Sequence, residues 1–134
     1  MIVVDTNVIV YLYITGDHSM QADQAVLKDP LWVAPWLWRS EFRNVLALYV
    51  RKKLLRLEEA EQVMEDALYL MEGREYEARS DRILALAASS TCSACDCEFV
   101  ALAEDLHVPL ITVDKQVLRQ FPDVATPLVE FIGG

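Results

Sequence analysis

The chain has 134 residues, 54% hydrophobic and 25% charged, with a formal net charge of −9. That length suits one compact domain with a real core, so a single domain over residues 1–134 is expected. No apolar run approaches the ~20 residues needed to cross a bilayer, and the acidic total argues against a general coat that grips phosphates by bulk positive charge.

Ile2-Val3-Val4 is a β-branched run that breaks at Asp5-Thr6-Asn7, after which Val8, Tyr11 and Leu12 recur at helical spacing, giving strand, polar turn, helix. The absence of a basic leader before Asp5 fits neither a signal nor a transit peptide, and a cytoplasmic location is expected. Met20 to Lys28 predicts a second short helix, which Asp29-Pro30 ends. Leu31-Trp32-Val33-Ala34 is a buried-strand candidate, and Pro35 suits the start of a long helix from Trp36 to Leu55. Leu57 to Met71 repeats the helical pattern, so the two helices form a hairpin. Glu75 to Arg79 fits either a loop or a short strand. Ser80-Asp81 is expected to cap a helix through Ala88, and Ser93 to open another that runs to Leu106. Val108 to Val113 reads as a strand, followed by a short helix through Gln120. Leu128 to Ile132 reads as a last edge strand. Short apolar strands alternating with helices predict an α/β domain with a mainly parallel sheet.

Six of the twelve Lys and Arg residues fall in one stretch: Arg39, Arg43, Arg51, Lys52, Lys53 and Arg56. They form either a solvated helix face or a strip that contacts phosphates. Cys92, Cys95 and Cys97 form C-x-x-C-x-C without an export signal. Disulfides are not expected, and a metal–thiolate site would lack a fourth ligand because His18 and His107 stand far off. Small buried hydrophobes at a loop–helix junction are the expected role.

Four acids sit where this architecture places functional groups. Asp5 ends the first strand, Asp114 ends the last apolar one before a helix, Asp96 lies in a first helical turn, and Glu41 interrupts an apolar stripe. In open parallel sheets ligands bind beyond the carboxyl ends of strands. If these ends meet, several carboxylates share one cleft, a repulsive arrangement that a hard divalent cation relieves. Such an ion activates water for attack on phosphorus, so phosphodiester hydrolysis follows. Each acid also has a purely structural role open to it: Asp5, Asp96 and Asp114 can cap helices, and Glu41 can pair with a neighbouring Arg.

Val4-Asp5-Thr6-Asn7, Ser40-Glu41-Phe42-Arg43-Asn44, Ser93-Ala94-Cys95-Asp96 and Ile111-Thr112-Val113-Asp114 together resemble the motifs of PIN domains, in the family's order and across the whole chain. The resemblance implies a three-layer α/β/α sandwich with a mainly parallel central sheet. It also implies Mg²⁺- or Mn²⁺-dependent endoribonuclease activity, with Asp5, Glu41, Asp96 and Asp114 as catalytic metal ligands and Thr6, Asn7 and Thr112 supporting them. VapC-like members of the family are toxins, usually dimers, held by a protein antitoxin, so RNA, an antitoxin and a second copy are the expected partners. The helical hairpin from Trp36 to Met71 is the expected docking surface. Arg39, Arg43, Arg51, Lys52 and Lys53 are the candidate RNA contacts. Cys95 and Cys97 flank Asp96 where the family more often has an aromatic and a small residue, which would make the site sensitive to oxidation. Trp36 and Trp38 could stack bases but are read as core or interface residues.

Three other readings compete. One is a PIN-like binding module without activity. Another is a nuclease acting on DNA. The third is a phosphatase with Asp5 as nucleophile, disfavoured because Asn7 stands where D-x-D-x-T needs a second acid.

Overall fold

The computed structural model describes residues 1–133. Its elements in chain order are β1 (Ile2–Val4), α1 (Thr6–Tyr13), α2 (Ser19–Lys28), β2 (Trp32–Pro35), α3 (Trp38–Arg51), α4 (Leu57–Leu70) and β3 (Glu75–Tyr76). They continue with α5 (Ser80–Ala88), α6 (Ala94–Leu106), β4 (Leu110–Thr112), α7 (Lys115–Gln120), β5 (Ala125–Pro127) and α8 (Leu128–Gly133).

The strands form one sheet in the order β3-β2-β1-β4-β5, with every neighbouring pair parallel. The chain starts in the middle, moves outward through β2 to β3, then crosses back to lay β4 on the other side of β1. The order therefore reverses between β1 and β4, and a crevice opens there at the carboxyl ends of the strands. One helical layer contains α1, α2, α3, α4 and α8, while α6 covers β1, β2 and β4 with α5 packed behind it. This is the three-layer α/β/α sandwich expected from the sequence.

Covering both faces explains why β1, β2 and β4 read as unbroken apolar runs: every residue in them is buried. Trp32, Trp38, Phe42 and Phe99 are the bulkiest fully buried side chains. Phe42 joins α3 to α1 through edge contacts, with ring centroids 5.6 Å from Trp38 and 6.4 Å from Tyr13. The only buried polar residues among the described ones are Thr6 and Thr112.

Four local expectations are corrected. Pro35 closes β2 rather than opening a helix, because the Trp36 N–H donates to Tyr76 O at 3.2 Å and prolongs the ladder. The helix runs from Trp38 to Arg51 and stops where Lys53 takes a left-handed φ of 60°, placing Lys52 and Lys53 in the turn. The edge strand is Ala125–Pro127, and 128–133 is helical. Leu128, Phe131 and Ile132 fall at i, i+3 and i+4, a helical stripe that a strand would split between two faces. Ser80 is the first residue of α5 rather than its cap, since Arg79 holds the N-cap position and bonds Asp81. Ser93 does cap α6, accepting from Asp96 N. Cys92 and Cys97 are buried as expected, whereas Cys95 is exposed. No helix among the described residues is long and apolar enough to cross a membrane.

Phe42→Ala should cost about 3–5 kcal/mol of unfolding free energy through the cavity it leaves. Urea unfolding followed by far-ultraviolet circular dichroism measures this; a loss under ~1 kcal/mol would mean the core does not depend on that ring.

Candidate active site

Asp5 is the first residue after β1, and its N–H donates to Ile111 O at 3.0 Å, which fixes it in register with β4. Its carboxylate caps α1, with Oδ1 accepting from Thr6 N at 2.8 Å. Oδ2 accepts from Thr112 Oγ1 at 2.7 Å. The same Thr112 oxygen accepts from Asp114 N at 3.0 Å, so one buried hydroxyl links the two strand-end acids. Thr6 Oγ1 donates to Glu41 Oε1 at 2.7 Å, tying the first turn of α3 to that of α1. The two buried polar side chains thus both serve the acids.

Asp114 caps α7, its Oδ1 accepting from Gln116 N and Val117 N at 2.9 and 3.1 Å. Capping and a place in the site are therefore compatible, because one carboxylate oxygen suffices for the cap. Asp96 stands in the first turn of α6 beside its Ser93 cap. Asp5, Glu41, Asp96 and Asp114 line one cleft of about 320 Å³ together with Thr6 and Asn7. Thr112 sits fully buried behind it.

Electrostatics follow from this crowding. Burial is the main cause that pushes Asp5 from the ordinary 3.8 up to about 6; hydrogen bonds from Thr112 and Thr6 oppose it, and the charges of Glu41 and Asp96 add to it. Glu41 is raised by burial despite its bond from Thr6, with Asp96 and Glu98 contributing. Burial and the neighbouring Asp114 raise Asp96. The cleft disfavours its own negative charge.

Two residues that sequence reasoning passed over belong to this region. Asn44 lines the cleft one turn after Glu41, a position that i+3 spacing on α3 signals. Glu98 on α6 is half-buried and presses its charge toward Glu41. Nothing in its spacing from Asp96 marks it, since residues two apart on a helix point in different directions.

The candidate RNA contacts do not join the acids. Arg39 forms a two-pronged pair with Glu75, at 2.6 Å and 2.7 Å. Arg43 and Arg51 border a separate apolar hollow of about 410 Å³ between α3 and α4. Arg51, the last residue of α3, lies about 15 Å along the helix from Glu41 at the usual rise per residue, and Lys52 and Lys53 follow it in the turn. The basic stretch runs away from the cleft.

An all-carboxylate set suits a hard cation that keeps much of its water. Among the described residues no three acidic, His or Cys side chains stand close enough together to hold an ion as they are. The buried Asn7 Oδ1 has no hydrogen-bond partner, and it leaves an acceptor beside the acids. The donor set therefore fits Mg²⁺ or Mn²⁺.

Fold and cleft together define a small α/β/α protein with acids gathered at the sheet's switch point. Residues 2–125 match the PIN domain family, and the chain belongs to that family as a VapC-like member. It is 30% identical over 129 residues to a Pyrobaculum aerophilum protein named Ribonuclease VapC3, covering 94% of this chain and 98% of that one. The fold is shared with the crystal structure of PAE2754 from Pyrobaculum aerophilum, with a TM-score of 0.72 and 18% identity over 99% of this chain and 97% of the other. It is shared also with that of FitAcB from Neisseria gonorrhoeae, at a TM-score of 0.66 and 21% identity over 93% and 95%.

Because folding raises the Asp5 pKa, the folded state holds that proton more tightly than the unfolded chain. Its contribution is most favourable below pH 3.8 and is lost as pH rises through about 6. At neutral pH without metal the ionised group is a cost on the order of 3 kcal/mol at most. Asp5→Asn should therefore raise the melting temperature in EDTA at neutral pH, with the gain vanishing toward pH 4. An equal or lower melting temperature at neutral pH would show that Asp5 is not strained.

Proposed function

We propose that this chain is a Mg²⁺- or Mn²⁺-dependent endoribonuclease that hydrolyses RNA phosphodiester bonds, the toxin half of a toxin–antitoxin pair acting in the cytoplasm. The observation that carries the reading is the meeting of four carboxylates, from four separate elements, in one cleft at the β1–β4 switch point. The name of the relative, Ribonuclease VapC3, supports the substrate class.

In this reading Asp5, Glu41, Asp96 and Asp114 are the residues that would hold the ion. Once bound, it supplies a water of lowered pKa for attack and stabilises charge developing on the phosphoryl oxygens. The chain's own part is positioning. Thr6 and Thr112 fix the carboxylates of Glu41 and Asp5, and the α7 amides fix Asp114, so these three acids are oriented before substrate arrives. Val10 and Val45 form the apolar wall of the cleft, which strengthens the charge interactions inside it. The proposed protein partners are an antitoxin and a second copy of the chain in a homodimer. The apolar hollow along α3 and α4, with Leu46, Val50, Leu57 and Met64 in its lining, supports such docking.

The test incubates full-length, partner-free protein with a structured RNA and with single-stranded DNA, in Mg²⁺, Mn²⁺ or EDTA, beside Asp5→Asn. Expected is RNA cleavage that EDTA and the substitution both abolish. Equal cutting of DNA would favour the DNA-directed reading. No cleavage, with no metal-induced rise in melting temperature, would favour a binding module.

Thr112→Val keeps the shape of the buried side chain but removes the hydroxyl that joins Asp5 to Asp114. It should weaken metal affinity or activity by about 10- to 100-fold. Titration of Mn²⁺ against cleavage rate measures the loss; an unchanged half-saturation point and rate would exclude a positioning role.

A further inference from the structure

Trp36 leaves β2 still hydrogen-bonded to the sheet, its N–H on Tyr76 O, yet its side chain is 51% exposed. The Arg39 guanidinium lies over its ring, 4.7 Å from the centroid. Arg39 is itself held at two points by Glu75, whose side chain is only 4% exposed and also accepts from Trp38 Nε1 at 2.7 Å. Removing Arg39 would leave a buried carboxylate without its cation, so the brace is firm. A hollow of about 410 Å³ adjoins Trp36 and Arg39, with Tyr69, 82% exposed, on its far wall.

The ring's place in the fold gives this a direction. Ile2 lies opposite Trp32 and Val3 opposite Val33, so continuing the register sets Asp5 level with Pro35 and Trp36 one residue beyond. Adjacent strands stand ~4.8 Å apart. From the first turn of α3, Glu41 reaches toward Thr6 and the cleft, whereas Arg39 reaches toward Glu75 and Trp36. Cleft and ring are thus both tied to the first turn of α3, one through Glu41 and the other through Arg39.

We propose that Trp36, braced by Arg39, is a stacking platform for an unpaired base of the RNA whose backbone crosses the acidic cleft. The inference rests on the nuclease reading for its substrate. Stacking on a π-face needs no net positive charge, which suits a chain of charge −9 whose Arg39 is already neutralised by Glu75. The base must be unpaired, since duplex stacking hides its faces, so the platform selects single-stranded loops or ends. Arg39 acts as a brace for the ring rather than as a phosphate contact.

The test uses full-length Asp5→Asn and a ten-nucleotide single-stranded oligoribonucleotide. Trp32 and Trp38 are fully buried, so acrylamide quenching of tryptophan fluorescence reads Trp36. Bound RNA should shield Trp36 from acrylamide. Adding Trp36→Ala should weaken RNA binding about tenfold, and by the same factor at low and high salt, while Trp36→Tyr restores most of the loss. Binding unaffected by Trp36→Ala, or an unshielded Trp36 in the RNA complex, overturns the platform. Shielding by an antitoxin alone, with none by RNA, overturns it as well and makes the surface a protein-docking site. Shielding by RNA in a protein whose wild type never cleaves RNA would uphold the platform and refute the nuclease reading.

Discussion

The mutual repulsion of carboxylates in a partly buried cleft is the constraint on which the site's design depends. Burial raises Asp5, Glu41 and Asp96, and neighbouring charge adds to it: Glu41 and Asp96 on Asp5, Asp96 and Glu98 on Glu41, and Asp114 on Asp96. Left alone, such groups would turn outward to water. Thr6 holds Glu41 inward and Thr112 holds Asp5, which accounts for the two buried polar side chains in an otherwise apolar interior. The folded chain carries this unfavourable charge because the apolar strands and helices around it supply the stabilisation. A cation bound there would return part of the cost and so would couple ligand binding to stability.

Topology explains why these residues meet although they are scattered along the chain. The first strand occupies the centre of the sheet, and the chain adds strands to both sides of it. β1 and β4 are neighbours despite more than a hundred residues of separation between Asp5 and Thr112. α1 and α3 lie in the same layer, which brings Thr6 beside Glu41, and α6 on the other face brings Asp96 to the rim. The apolar hollow of α3 and α4 uses a different face of α3 from the one that carries Glu41 and Asn44. One helix therefore borders a charged cleft on one face and an apolar hollow on another.

Much of this is legible in the sequence, for identifiable reasons. The runs Ile2-Val3-Val4 and Leu110-Ile111-Thr112 must be buried on both faces, and each is followed by an acid that ends the strand and caps a helix. The strand-end acids were visible for that reason, and Glu41 because it interrupts an apolar stripe. Their convergence was not, since register between β1 and β4 is a long-range property. Ala125-Thr126-Pro127 is too short to declare itself, and its pairing with β4 depends on a neighbour distant in sequence. Arg39 read as a free cation because Glu75, its partner, lies beyond an entire helix. Trp36 and Trp38 look alike in sequence, yet the turn into α3 buries one and exposes the other.

The capping of α1 by Asp5 and of α7 by Asp114 separates architecture from charge. A cap needs only an acceptor oxygen, which asparagine provides as well as aspartate. A single transition in an aspartate codon gives asparagine. A cleft lacking one of its four carboxylate charges is thus one mutational step away and keeps its helix starts. Relatives of this fold can lose cleft charge one residue at a time while the scaffold persists, and in the laboratory the same exchange changes charge at nearly constant shape.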